Sequence, residues 1–217
     1  MEIEDLNLPD HGAELWSGVL PENILEPLRA ELGASSLEPD RGGLRGADLQ
    51  FPGVAALARN QHLLARVGAH LPTPPRLIRA ILFDKSPTRN WLVAWHQDKT
   101  VACAEKHDLP GWSNWTFKDG LHHAQPPRSV LDAMLTVRVH LDGADENNGC
   151  LKIISGSHRL GILAQADVSR HTEGAEAVLC RAQAGDILAM RPLLLHASSK
   201  ALSHQPRRIL HLEFGAA

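Results

Sequence analysis

Three prolines within four positions, Pro72, Pro74 and Pro75, divide this chain into two parts with different periodicities. Proline removes an N–H donor and crowds the preceding turn, so a helix cannot run through such a cluster. Before it, apolar residues recur at helical spacing. Leu20-Pro21-Glu22 opens a helix with Ile24, Leu25, Leu28 and Leu32 on one face and Gly33 at its exit; a second runs from Val54 to about His70 on Leu57, Leu64, Val67 and Leu71. After the prolines the apolar runs are strand-length: 77–83, 91–97, 134–141, 150–154, 178–181, 186–190, 193–196 and 208–214. About eight short strands behind a helical part predict a mainly β, α+β chain, with two sheets facing each other as a cupin-like jelly roll, or double-stranded β-helix.

The expected organisation is one domain over 1–217, with a helical part at 1–75 and a jelly-roll core at 76–217. Residues 1–20 are a lead-in. Residues 35–50, with Pro39, Gly42, Gly43 and Gly46 among charges, read as a mobile loop. Asp84-Lys85-Ser86-Pro87 reads as a turn and Asn147-Asn148-Gly149 as a hairpin. Residues 101–128 form a long insertion holding Trp112, Trp115 and His122-His123; a connection of that length is usually functional or disordered, and two tryptophans favour packing.

Composition narrows the function. A formal net charge of −3 supplies no global field for nucleic acid. Cys103, Cys150 and Cys180 are odd in number and widely spaced, which fits neither a disulfide framework nor a zinc site and suits a reducing compartment. No apolar run reaches membrane-spanning length, and the acidic start Met1-Glu2-Ile3-Glu4-Asp5 argues against a targeting leader. The expectation is a cytoplasmic protein with a small-molecule partner and neither nucleic acid nor membrane. The absence of tyrosine removes one common catalytic acid.

Chemistry concentrates in Trp95-His96-Gln97-Asp98. Side chains alternate along a strand, so His96 and Asp98 share one wall. A further imidazole would complete a 2-His-1-carboxylate face with open metal positions, the pattern of non-haem Fe(II) oxygenases. His196, after Leu193-Leu194-Leu195, stands at the rim of an apolar interior and is the best candidate. Oxygenases of this type commonly draw two electrons from 2-oxoglutarate, whose distal carboxylate needs an anchor, and arginine grips carboxylates bidentately. Arg207 shares a strand face with Ile209, His211 and Glu213, whereas Arg208 shares the other with Leu210, Leu212 and Phe214, so only one of the two arginines points inward.

These residues resemble the phytanoyl-CoA dioxygenase family of Fe(II)/2-oxoglutarate-dependent oxygenases. The resemblance covers most of 77–214 and rests on Trp95-His96-Gln97-Asp98, Asn148-Gly149-Cys150-Leu151, Ser155-Gly156-Ser157-His158, Gly185-Asp186, His196-Ala197-Ser198 and Pro206-Arg207-Arg208 in order. It implies a jelly roll using Fe(II), 2-oxoglutarate and O2, with release of succinate and CO2 and hydroxylation of a small molecule. It implies His96, Asp98 and His196 as metal ligands and Arg207 as anchor, assisted by Ser198. Ile81 falls at the co-substrate pocket, Gln97 lies between the ligands, and Lys85 follows in the turn. Arg138 either adds charge near the co-substrate or faces out. Asp98 stands where halogenating relatives carry a small residue, which favours oxygen insertion.

Substrate contacts are expected from Lys85, Trp95, Trp112, Trp115 and the insertion, whose lysines and aromatic rings suit an anionic or aromatic molecule; the insertion reads equally as a lid or as a structural loop. An apolar mouth is expected from Leu193, Leu194, Leu195 and Trp95. The alternatives are a non-catalytic cupin-like metal- or ligand-binding jelly roll and a zinc hydrolase.

Overall fold

A computed structural model describes residues 1–33, 43–85, 90–118 and 120–215. The helical part starts with α1 (Leu8–His11) and then forms strand β1 (Ala13–Trp16), so the lead-in contributes an edge strand that four residues are too short to announce by pattern. Helix α2 (Glu22–Gly33) buries Leu25, Leu28 and Leu32, as their spacing requires. Of the loop expected at 35–50, residues 35–42 lie outside the described residues. The remainder holds β2 (Leu44–Arg45) and α3 (Ala47–Gln50) and is not a loop, because Gly46, at φ 66°, makes a sharp corner between them.

The single helix expected at 54–70 is two, α4 (Pro52–Ala58) and α5 (Gln61–Gly68). Asn60 divides them. Its backbone is extended, and its side-chain oxygen accepts from the N–H groups of His62 at 3.0 Å and Leu63 at 3.1 Å. An asparagine that caps a new helix outcompetes continuation of the old one.

The strand-rich part comprises β3 (Arg76–Lys85), β4 (Val93–His96), β5 (Val101–Cys103), β6 (Ser113–Lys118), β7 (Leu121–Gln125), helix α6 (Arg128–Asp132), β8 (Leu135–His140), β9 (Leu151–Ile153), helix α7 (Gln165–Thr172), β10 (Val178–Cys180), β11 (Ile187–Met190), β12 (His196–Ser198) and β13 (Arg207–Gly215). A six-stranded sheet runs β1-β11-β8-β13-β3-β2 and a four-stranded sheet β10-β9-β12-β4; the paired strands of both are antiparallel. The insertion folds as a third sheet, β5-β7-β6. No helix among the described residues is long and apolar enough to cross a membrane.

Two expected turns are different. Lys85 ends β3 rather than turning it, and Ser86 and Pro87 lie outside the described residues. Asn147-Asn148-Gly149 does not close a hairpin: β9 pairs with β10 and β12 and not with β8, so this turn carries the chain from one sheet to the other. Asp145 Oδ1 accepts from Asn147 and Asn148, and Asn148 Nδ2 donates to Gly143 O at 2.8 Å, which closes the turn on itself. Gly149 is required there: its φ is 73°, and a Cβ would stand 2.5 Å from Ser199 O.

The outer face of the larger sheet is apolar. Leu82, Leu135, Val137, Leu210, Leu212 and Phe214 pack there with Leu25, Leu28, Val54, Leu63 and Val67 of the helices. Its inner face alternates with these and is polar: Arg79 and Lys85 on β3, Arg138 and His140 on β8, and Arg207, His211 and Glu213 on β13. Charges buried in a sheet interior are costly unless they serve a site.

Candidate active site

β4 and β12 are neighbours in the smaller sheet, and His96 faces His196 directly in their register, with ring centroids 4.1 Å apart. Asp98 follows β4, and its N–H donates to Pro192 O at 2.9 Å, which ties it to the turn before β12. The Nδ1 atoms of His96 and His196 each lie 2.8 Å from the carbonyl two residues upstream, Ala94 and Leu194. A carbonyl only accepts, so both Nδ1 atoms carry the proton and both Nε2 atoms present lone pairs. His96 Nε2 is 3.8 Å from Asp98 Oδ1, and His196 Nε2 is 3.6 Å from Asp98 Oδ2.

Asp98 Oδ2 is buried and has no hydrogen-bond partner among the described residues. Two lone pairs aimed at an orphaned carboxylate are unfavourable in protein alone and suit a divalent cation. Burial opposes ionisation of Asp98, but His196, His211, His96 and Arg79 outweigh it and hold the carboxyl below its usual range. Burial brings His196 down to about 4, which keeps its imidazole neutral, as ligation requires.

Asp98 also lies near His211 and Glu213, a second group with metal-ligand spacing. Its hydrogen bonds exclude that role. Arg138 Nη1 lies 2.8 Å from His211 Nδ1 and can only donate, so Nδ1 accepts; His211 Nε2 then carries the proton and donates to Glu213 Oε1 at 3.1 Å. No lone pair of His211 remains for a metal. Glu213 in turn grips Arg79 with both oxygens. The chain Arg138–His211–Glu213–Arg79 thus crosses β8, β13 and β3 behind Asp98. Glu213→Ala strands Arg79 and is expected to cost about 3–5 kcal/mol in denaturant unfolding; a loss under 1 kcal/mol would show that the chain is not structural.

A cavity of about 160 Å³ joins the three-residue cluster to Ile81, Arg138, Ser198 and Arg207. Arg138 therefore faces in, and the choice between the two arginines is settled by burial. Arg207 is buried and its Nε lacks a partner, whereas Arg208 is spent on Asp142 at 2.8 Å. Lys85 stands opposite Arg207 in the β3–β13 register. Its Nζ donates to Ser198 Oγ at 2.9 Å and Ser199 O at 2.7 Å and sits over the Trp91 ring. Burial, with repulsion from Arg207 and Arg138, brings Lys85 down to about 7, and burial, with repulsion from Arg138, brings Arg207 down to about 10. Among the described residues no carboxylate is within ion-pair distance of these three cations. Such a cluster awaits an anion.

Other expected site residues lie elsewhere. Gln97 points away from the cavity: its amide donates to Gly161 O and Leu193 O, both at 2.8 Å, and accepts from Leu163 N at 2.9 Å. Trp95, like Gln97, alternates with the ligands and packs with Leu163, Val168 and Leu195 beneath α7. Leu193, Leu194 and Leu195 sink into three separate apolar clusters and form no mouth. Trp112 and Trp115 stack at 6.0 Å around His107 on the third sheet, away from the cavity. Conversely, Trp91 and Phe83 line the cavity, and Arg79, His211 and Glu213 back it; only the shared face of β13 hinted at the last two.

The fold has solved counterparts. HygX from Streptomyces hygroscopicus, with nickel and 2-oxoglutarate bound, superposes with a TM-score of 0.70 at 18% identity over 97% of this chain and 84% of its own. AviO1 from Streptomyces viridochromogenes Tue57 gives 0.69 at 19% identity, over 96% of this chain and 91% of its own. SnoK, an alpha-ketoglutarate-dependent carbocyclase of nogalamycin biosynthesis, gives 0.72 at 16% identity, over 100% and 87%. No curated protein sequence matches the chain. The family model for phytanoyl-CoA dioxygenase (PhyH) matches residues 11–209, nearly the whole chain and every residue lining the cavity except His211. The chain therefore belongs to the phytanoyl-CoA dioxygenase family and is an oxygenase dependent on Fe(II) and 2-oxoglutarate.

Proposed function

We propose that His96, Asp98 and His196 hold the iron, that Arg207 binds the distal carboxylate of 2-oxoglutarate, and that the enzyme hydroxylates a small molecule. The observation that carries this reading is the buried Arg207, with no counter-ion among the described residues, in the same cavity as the orphaned Asp98 carboxylate. When bound, the metal with 2-oxoglutarate and O2 supplies the oxidising equivalents, and succinate and CO2 are the co-products.

The protein's residues do the rest. The upstream carbonyls fix both ligand imidazoles in the tautomer that exposes Nε2. Ser198 holds Lys85 in place beside Arg207, its partner in the β3–β13 register, so both cations meet the same end of a bound dianion. Ile81 and Phe83 supply apolar wall between the charged groups and limit water. Arg138 is committed through one nitrogen to His211 and adds positive potential.

We further propose that residues 1–75 and 76–217 form one domain, because helix and sheet residues share one apolar cluster. A cytoplasmic location is supported by the three free cysteines.

Fe(II), ascorbate and 2-oxoglutarate are expected to give succinate even without the substrate, while Ni(II) or Co(II) occupies the site and stops turnover. Iron-loaded protein that forms no succinate would sink the reading and leave a binding protein.

A further inference from the structure

Arg207 has a counterpart at the metal end of the same cavity. On β13, Arg207 and His211 share the inner face, about 13 Å apart at the rise of a strand. Arg138 stands opposite His211 on β8. It is buried, lines the cavity and is fixed at two points: Nη1 donates to His211 Nδ1 at 2.8 Å, and Cζ lies 5.5 Å from the centre of the Phe83 ring. A guanidinium carries five N–H donors, and His211 takes one of them among the described residues, so the others have the cavity as their outlet. Burial lowers the proton affinity of Arg138 and Asp98 opposes it, while Arg207 is lowered by burial and then by Arg138. The Arg138 charge thus acts on the ligand cluster at one end and on the anchor at the other. The nearby carboxylate of Glu213 is already gripped by Arg79.

We propose that Arg138 holds the 1-carboxylate of 2-oxoglutarate while Arg207 holds the distal one, so that the two arginines bind the co-substrate before any metal is present. This assignment rests on the oxygenase reading of the cavity. Three features favour it. Two guanidiniums in one small cavity, with no carboxylate of the described residues within ion-pair distance, match the two charges of a dicarboxylate. Both are immobilised on the frame of one sheet, so their spacing selects length as well as charge. A 1-carboxylate close to Asp98 meets a like charge, and Arg138 supplies on that side the compensation that would otherwise have to come from the metal.

The test uses a matched pair of probes, 2-oxoglutarate and levulinate, the same keto acid with a methyl group in place of the 1-carboxylate. Calorimetric titrations are run on the full chain freed of metal with EDTA. 2-Oxoglutarate is expected to bind about tenfold or more tighter than levulinate, as one charge-assisted contact gives. Glutarate, which keeps both carboxylates and lacks the keto group, binds within about threefold of 2-oxoglutarate. Arg138→Gln, which keeps an N–H for His211 but not the charge, brings 2-oxoglutarate down to the affinity of levulinate. Levulinate itself binds the variant as it binds the wild type, which a misfolded cavity could not do. A second measurement uses enzyme loaded with Co(II), where Arg138→Gln weakens 2-oxoglutarate about tenfold and leaves the affinity for Co(II) unchanged. No metal-free binding at millimolar 2-oxoglutarate, equal affinity for the two keto acids, or indifference of 2-oxoglutarate to Arg138→Gln overturns the proposal. None of these results touches the oxygenase reading, which stands or falls on succinate release by the wild-type enzyme.

Discussion

Arg207→Ala raises the Michaelis constant for 2-oxoglutarate by about a hundredfold or more, because removing one partner of a buried charge pair typically costs 2–5 kcal/mol. Iron affinity changes little, since Arg207 touches none of His96, Asp98 and His196. The expected signature is therefore a split: weak 2-oxoglutarate, intact metal. Arg207→Lys recovers only part of the loss, because an ammonium cannot reproduce the two-pronged grip of a guanidinium. Steady-state kinetics in 2-oxoglutarate together with an equilibrium iron titration read both quantities. Equal loss of both would mark Arg207 as a residue of the fold, and an unchanged constant would hand the anchor to Lys85 or Arg138.

Asp98→Ala lowers turnover by roughly a thousandfold or more; groups merely supporting a metal ligand already cost about 10–100-fold, and this change removes a ligand itself. The metal-free variant still folds. The Asp98 side chain accepts no hydrogen bond among the described residues, and the bond from its N–H to Pro192 O belongs to the backbone and survives the change. Circular dichroism and thermal unfolding of the apo-variant separate loss of chemistry from loss of fold. Retained turnover would make Glu213 the metal carboxylate and reverse the tautomer assigned to His211.

Much of this site follows from alternation along strands. Period two brought His96 and Asp98 to one wall and put Arg207 and Arg208 on opposite faces, and both hold in the structure. The same rule places Trp95 and Gln97 behind the ligands, so their expected contact with co-substrate or substrate was at odds with local geometry. What alternation does not supply is register. The Arg138–His211–Glu213–Arg79 chain exists because His211 falls opposite Arg138 and Glu213 opposite Arg79 across three strands far apart in sequence. Nor does periodicity see a break that keeps phase: Leu57, Leu64 and Val67 stay at helical spacing through Asn60, where the helix ends and another starts. The insertion's tryptophans do pack, on each other and on His107, but they do not line the cavity.

The Lys85–Arg207 pairing has a consequence for the life of the protein. Lys85 and Arg207 stand opposite each other inside the sheet and repel, which works against the native state, so a co-substrate carboxylate bound at Arg207, as proposed, would also stabilise the fold. At a hundred times its dissociation constant, a ligand specific to the native form adds about 2.7 kcal/mol to stability. Thermal unfolding is therefore expected to move upward when 2-oxoglutarate is added to the metal-loaded protein, and limited proteolysis to slow with it.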